Sequence, residues 1–461
     1  MISEVASSSV AHVRRDVASD DGIPSFIGAG DFVYRGVAPP RMVSARGPFL
    51  IDEQGRKYLD AGASNGAAGL GHDVALLHEA VNRLGDFPGA PSFCESSLRL
   101  RVASRLQERV AAATGMAGRV AFELGGAQGI ELALKVARNA NPGVIAVFEG
   151  AYHGRSIFTS KLSSAARYRR GFGDWQPAVL RLPFPDCRAC RFDDEPSRCS
   201  VQCAKYVKQT LASDFAGFAG GEDHAFPSIL LIEPVLNVAG MVLPDRRYLD
   251  AVVAEFKQRG ALVIVDEVFT GLYRTGKDFG FQHYGFTPDI VVLSKALSNG
   301  MAPISCVWAA EPLLSPALFP PGSHSVTFAN NPLSLAIVDA VLDRYEAIPD
   351  LQGRLAALEA ALAECVNGIV RDFPAAQSGH VRGGVARIVL ATPIAAKLRD
   401  RAMSIRANAG PAGVVGIILA ATGLAPDVIN LHPPLTIAPE EMRLLSDLLR
   451  ETFRAHHESA A

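Results

Sequence analysis

The sequence predicts an α/β protein, a mostly parallel sheet with helices on its faces, followed by a smaller C-terminal lobe. Three observations predict it. From about Arg119 to Ala309, short apolar runs (RVAFEL, VIAVFEG, ILLIEP, ALVIVDE, DIVVLSK, ISCVWAA) alternate with longer amphipathic segments, the pattern of strands connected through helices. Several of these runs are continuous and rich in β-branched residues, which suits strands buried on both faces. After Pro332 the texture changes: Leu355, Leu358, Leu362 and Val366, and later Leu445, Leu448, Leu449 and Phe453, recur at helical spacing, each set on one face of a helix.

With 461 residues, 49% hydrophobic and 20% charged, the chain can build a large core split into two lobes around a cleft. The expected division is an N-terminal arm over 1–25, a small domain from 26–70 and 333–461, and a large domain over 71–332. A net charge of -2 and no dense Lys/Arg run give no electrostatic footprint for nucleic acid or an anionic membrane. The first residues lack an apolar stretch of signal-peptide length, and the longest mostly apolar tract, Gly413 to Ala425, is shorter than the ~20 residues that cross a bilayer. A cytoplasmic protein with small-molecule partners is expected, and the apolar tract is expected inside.

Along the chain, FLIDEQGRKYLDA reads as a hairpin, in a Gly- and Pro-rich stretch assigned to the small domain. In VAFELGGAQGIELALKVAR a strand runs into Gly125 and Gly126 and then a helix with Ile130, Ala133, Leu134 and Ala137 at helical spacing. That turn is either a phosphate site, through free N–H groups at a helix start, or only a tight connection. In FEGAYHGRS, Tyr152 offers an aromatic face beside the same sheet edge, with His153 and Arg155 adjacent; it either stacks on a planar ring or packs on its neighbours. A helix is marked by Asp245 as its cap, by Leu249, Val252, Val253 and Phe256 on one face, and by Gly260 after Lys257 and Arg259.

Two runs end in chemistry. Asp266 closes ALVIVD, and Lys295 follows DIVVLS, so an acid and an amine arrive where open α/β sheets collect ligands. They form either a plain ion pair or the two anchors of pyridoxal phosphate, whose ring nitrogen wants a carboxylate and whose aldehyde wants an amine. Further on, Thr327 in HSVTFANNP has a hydroxyl and backbone that suit a phosphate. Cys187, Cys190, Cys199 and Cys203 are spaced C-x2-C-x8-C-x3-C, a candidate zinc or iron–sulfur set.

Taken in order, GGAQGIELALKVAR, AYHGRS, IEPV, DEVFTGLYRTG, SKALSNG and TFANNP give a specific match over about residues 40 to 450. The chain resembles the class III (ornithine/GABA type) aminotransferases of fold type I. The resemblance implies an aspartate aminotransferase-like fold with a seven-stranded-type sheet in the large domain and a smaller α+β domain. It implies pyridoxal 5'-phosphate held by Lys295 as a Schiff base, with Asp266 on the ring nitrogen. Val268 and Tyr152 would pack on the ring faces, with His153 and Glu233 beside the cofactor and Gly126 and Ala127 on the phosphate. Thr327 would come from the partner subunit of a homodimer. A carboxylate on the ring nitrogen keeps it protonated, which makes the ring an electron sink. The lysine then suits a proton carrier.

Three positions depart from the family. Many members that use α-amino acids carry an arginine just upstream of the Pro433–Pro434 dipeptide, to clamp a carboxylate; this chain has Asn430. Either another arginine (Arg155, Arg382 or Arg387) takes the carboxylate, or the substrate is an amine, an amino sugar or another specialised donor. Phe269 stands where many relatives have Gln, and Gly125 where many have Ser, both removing polar contacts to the cofactor. The resemblance also admits a pyridoxal-phosphate isomerase (a racemase or epimerase) on the same scaffold. The Cys-containing insertion of relatives need not hold metal.

Overall fold

The structure is a computed structural model. It describes residues 40–459 except 88, 92, 170–177, 188–189, 191, 193–194, 196–197, 214–225, 406–413 and 421–423. The arm expected over 1–25 and part of the tract from 413 to 425 lie outside these residues.

A seven-stranded sheet dominates. Its order is Gly118–Glu123, Ser305–Ala310, Ile290–Leu293, Leu262–Asp266, Pro227–Ile232, Val144–Phe148, Val179–Leu182. Ser305–Ala310 is antiparallel to both neighbours, and the other four neighbouring pairs are parallel. The apolar runs are continuous because both faces are covered. Ile145 and Val147 belong to one core layer, together with Ile130, Ala133 and Ala137 of the helix Gly126–Ala140. Ala146 and Phe148 belong to the other, with Leu249, Val252 and Phe256 of the helix Arg246–Gln258. Each such Leu, Ile or Phe removed from water contributes roughly 1.5–3 kcal/mol. Asp245 caps the second helix by accepting from the Arg247 N–H, and Gly260 just beyond its end takes φ +78. The seventh strand, Val179–Leu182, is not among the six apolar runs of the sequence. It is a four-residue edge strand carrying Arg181 and partly exposed positions, too short to give a periodic signal.

The remaining strands form two smaller sheets. Phe49–Asp52 and Lys57–Asp60 make the expected hairpin, and Lys57–Asp60 also pairs in parallel with Val414–Ile418. An N-terminal and a C-terminal segment therefore share one sheet. Ala376–Arg382, Val385–Leu390 and Val428–Leu431 form an antiparallel three-stranded sheet. The helices Leu351–Asp372 and Pro439–Glu458 bury Leu355, Leu358, Leu362 and Val366, and Leu445, Leu448, Leu449 and Phe453. Among the described residues no helix is long and apolar enough to cross a membrane.

Candidate active site

Five strands of the large sheet end at a cavity of about 220 Å³, and each is followed or closed by residues that line it. Asp266 is the last residue of its strand and 5% exposed. One carboxylate oxygen faces His153 Nδ1 at 2.8 Å and the other accepts the Val268 N–H at 3.0 Å. Lys295 follows the neighbouring strand by two residues, with φ +46. A side chain of this size rarely occupies that left-handed region, so the fold is holding the amine there against local preference. Burial lowers the Lys295 amine below the ordinary lysine range, and Asp266 and Glu233 oppose that shift. Glu233, at the end of a third strand, accepts the Tyr152 N–H at 2.7 Å. Burial first, and the nearby Asp266 second, push its carboxyl well above the usual range.

The cavity lining includes Gly126, Ala127, Tyr152, His153, Asp266, Val268, Lys295 and Glu233. All of the residues expected from the sequence to hold the cofactor therefore meet there except Thr327, which is exposed and outside the cavity of its own chain. Arg155 lines the mouth, its guanidinium 4.7 Å from the ring centre of Tyr168 and 5.7 Å from that of Tyr152. Arg382 lies instead beside His283 and Tyr284.

Two features fit pyridoxal phosphate. The helix Gly126–Ala140 starts at the cavity with Gly125 as its cap and no side chain on its first N–H groups, leaving an anion-binding helix start. His153 Nε2, on the ring that approaches Asp266, is fully buried and has no partner among the described residues. Cys187, Cys190, Cys199 and Cys203 form no disulfide, and among the described residues no three His, Cys, Asp or Glu side chains gather to hold an ion.

Several residues not singled out in the sequence complete the site. Asn237, Gly154 and Ser294 line the cavity. Phe269, noted from the sequence as a departure, lines it too, with Lys295 Nζ 5.1 Å from its ring centre and His432 edge-on at 5.3 Å. Gly66, at φ +82, lets the backbone close on Phe269, since a Cβ there would lie 2.5 Å from Cε2. Behind them Arg274 is fully buried, its Nη1 donating to the carbonyls of His432 and Pro433. Burial lowers it to about 10, and lowers His432 to about 3. Arg274 sits inside the motif DEVFTGLYRTG, and that was its one legible signal.

A model of the class-III aminotransferases matches residues 35–453. The chain is 28% identical over 408 residues to the acetylornithine/succinyldiaminopimelate aminotransferase of Yersinia pestis, covering 87% of this chain and 89% of that one. It is 28% identical over 424 residues to the ornithine aminotransferase of Bacillus subtilis, covering 89% and 92%. Among solved structures, an omega transaminase from Pseudomonas jessenii in complex with PMP superposes with a TM-score of 0.78 at 22% identity, covering 91% and 93%. An amine transaminase from an uncultivated Pseudomonas species in a PLP-bound form does so with 0.79 at 23%, covering 91% and 95%. At these identities the superpositions speak for the fold. The two relatives and two structures named here are all transaminases, which gives the isomerase alternative no support.

Proposed function

We propose that this chain, which belongs to the class-III aminotransferases and so depends on pyridoxal phosphate, moves an amino group from an amine or amino-sugar type donor to a 2-oxo acid or other carbonyl acceptor. Asn430 carries the reading of the donor. It is fully buried and uncharged where relatives that use α-amino acids are expected to hold an arginine, so a donor without that carboxylate fits the site better.

When bound, the cofactor supplies an electron sink for the carbon that loses a proton. In this reading Lys295 Nζ takes and returns that proton. Its burial lowers the amine's proton affinity, which brings a base closer to neutral working pH. Asp266 holds the ring nitrogen protonated, and the imidazole of His153 fixes the carboxylate that does so. The N–H groups of Gly126 and Ala127 take the phosphate, and Val268 and Tyr152 pack on the two ring faces. Glu233 stands beside Asp266, and burial together with that neighbour raises the proton affinity of its carboxyl, which eases the close approach of the two acids. Thr327 is assigned to the cavity of a second copy in a homodimer. The same reading keeps a small unit of 26–70 with 333–461 around a large unit of 71–332, and the parallel pairing of Lys57–Asp60 with Val414–Ile418 supports it.

The test is a single-turnover titration of the purified holoenzyme with amines, amino sugars and ornithine, one at a time and without acceptor. Conversion of the lysine-bound cofactor absorbance to the pyridoxamine form by amines or amino sugars is expected. Conversion by ornithine alone would sink the donor reading. Substrate inversion without conversion would favour the isomerase.

A further inference from the structure

Phe269 stands where many relatives have Gln, and its ring sits against the reacting amine. It follows Asp266 by three residues, lines the cavity and is buried. Lys295 Nζ lies 5.1 Å from the ring centre, within the roughly 6 Å over which an ammonium is drawn to the negative face of an aromatic ring. The ring is enclosed on three sides. The backbone at Gly66 makes room for it, since a Cβ there would lie 2.5 Å from Cε2 and 2.8 Å from Cδ2. His432 meets it edge-on, at an interplanar angle of 82°. Val235, Met241 and Val385 pack with it in one buried cluster. A ring so enclosed cannot turn aside without disturbing close-packed neighbours.

The other groups that act on Lys295 pull in both directions. Burial disfavours its ammonium, Asp266 and Glu233 from the ends of two adjacent strands favour it, and Arg274 weakly disfavours it. Asp266 is itself held by His153. His432, kept neutral by burial, adds no charge, and Asp60 acts on both His432 and Arg274. A Gln amide could turn either end of its dipole toward the amine, whereas a benzene ring offers a face of one sign. We propose that Phe269 is a positioning residue for Lys295, its ring face holding the amine in place and favouring the form that carries a proton. This rests on the aminotransferase reading and deepens it. In the step concerned, the C–H bond of the substrate breaks, its electron pair passes to the electron sink, and the proton goes to the lone pair of Lys295 Nζ. The ammonium so formed stands over the ring, which offsets part of what burial takes away.

The test uses the full-length holoenzyme in its pyridoxamine phosphate form, in which Lys295 is a free amine, labelled briefly with acetic anhydride over a series of pH values. Mass spectrometry of the peptide containing Lys295 reads the fraction of neutral amine at each pH, independently of turnover. In Phe269→Leu the midpoint of that curve should move to lower pH, by about 3- to 30-fold in proton concentration, the range for losing a desolvated cation–π contact. Water admitted by the smaller side chain would ease the burial of the ammonium and move the curve the other way, so the sign is diagnostic. Trifluorophenylalanine placed at position 269 keeps the shape of the ring but weakens its negative face, and should move the midpoint in the same direction as Leu. A ring that matters only for packing predicts no shift with the fluorinated side chain.

Wild-type midpoints in both proteins, a rise in Phe269→Leu, or a fall in Phe269→Leu with none for the fluorinated ring would each overturn the assignment. Should Phe269→Leu yield no folded protein, the fluorinated protein decides alone: a lower midpoint supports the assignment and a wild-type midpoint overturns it. If the wild-type protein retains neither form of the cofactor through gel filtration, the aminotransferase reading falls instead, and the labelling curves of the cofactor-free chains still judge Phe269.

Discussion

On the side of the cavity built by the large sheet, the buried carboxylates are held by neighbouring donors, although His153 Nε2 has no partner among the described residues. Asp266 is fixed by His153 and the Val268 N–H, and Glu233 by the Tyr152 N–H. Next to them the buried Glu267 accepts from Gly280 N–H, Phe281 N–H and the Thr270 hydroxyl. On the side built by the three-stranded sheet and its flanks, Asn430 Nδ2 and Oδ1, His432 Nδ1, and Arg274 Nε and Nη2 are buried without partners among the described residues. The first wall is preorganised, as a wall that must hold reacting groups in one geometry should be. The second has spare hydrogen-bonding capacity, which a ligand or water can use. The difference teaches where chemistry and choice of substrate are separated in this molecule.

The largest effect should come from the first wall. Lys295→Ala is expected to abolish the absorbance of lysine-bound cofactor and to cut turnover by about 10³-fold or more, with far-ultraviolet circular dichroism unchanged. Residual turnover near wild type would remove Lys295 from the chemistry altogether. Asp266→Asn should follow at about 10²- to 10³-fold in kcat, since an amide cannot hold the ring nitrogen protonated. Retained cofactor content, measured by absorbance after gel filtration, separates this from simple loss of binding.

The first wall was also the more legible of the two. Asp266 and Lys295 each end an apolar run, so their arrival at one sheet edge follows from strand order and handedness. Gly126 and Tyr152 follow two more strands and needed the same logic. The second wall is a product of packing between distant segments. Arg274 meets the carbonyls of His432 and Pro433 from more than 150 positions away, and nothing local in TGLYRTG announces that burial. Asn430 could be read as a departure, but its pairing with Arg387 is a matter of register between strands about 40 residues apart. One-residue shifts of register reverse which face a side chain takes, and a single sequence does not fix them. The edge strand Val179–Leu182 escaped for a simpler reason, being four residues long with a charge inside it.

Stability measurements sharpen the contrast. Glu267→Leu should cost about 3 kcal/mol or more, because three buried donors lose their acceptor together. Asn430→Leu removes a buried amide whose two atoms have no partner among the described residues, so it should be neutral or stabilising by about 1 kcal/mol. Urea unfolding of the two variants, compared at equal cofactor content, checks both. A cost at Asn430 equal to that at Glu267 would mean that the second wall is as fully bonded as the first, and the contrast would be lost.

The smallest effect is a slope. Burial, and secondarily Arg274, lower His432 to about 3 from the ordinary 6.5, so the folded protein keeps this ring neutral where the unfolded chain protonates it. Between those values the unfolded state binds more protons, and stability therefore rises with pH. The contribution is fully present above about 6.5 and is lost as pH falls toward 3. In His432→Phe that loss is absent, and the acid limb of the stability curve should be shallower by up to about 1.4 kcal/mol per pH unit. At pH 6.5 itself the titration separates the two proteins by only a few tenths of a kcal/mol. His283, lowered to about 4 by burial, titrates in both proteins and cancels from the difference. Equal slopes between pH 6.5 and 4.5 would show that His432 already carries its proton when folded. A cation would then stand beside Phe269, and the second wall would carry a second buried positive charge next to Arg274.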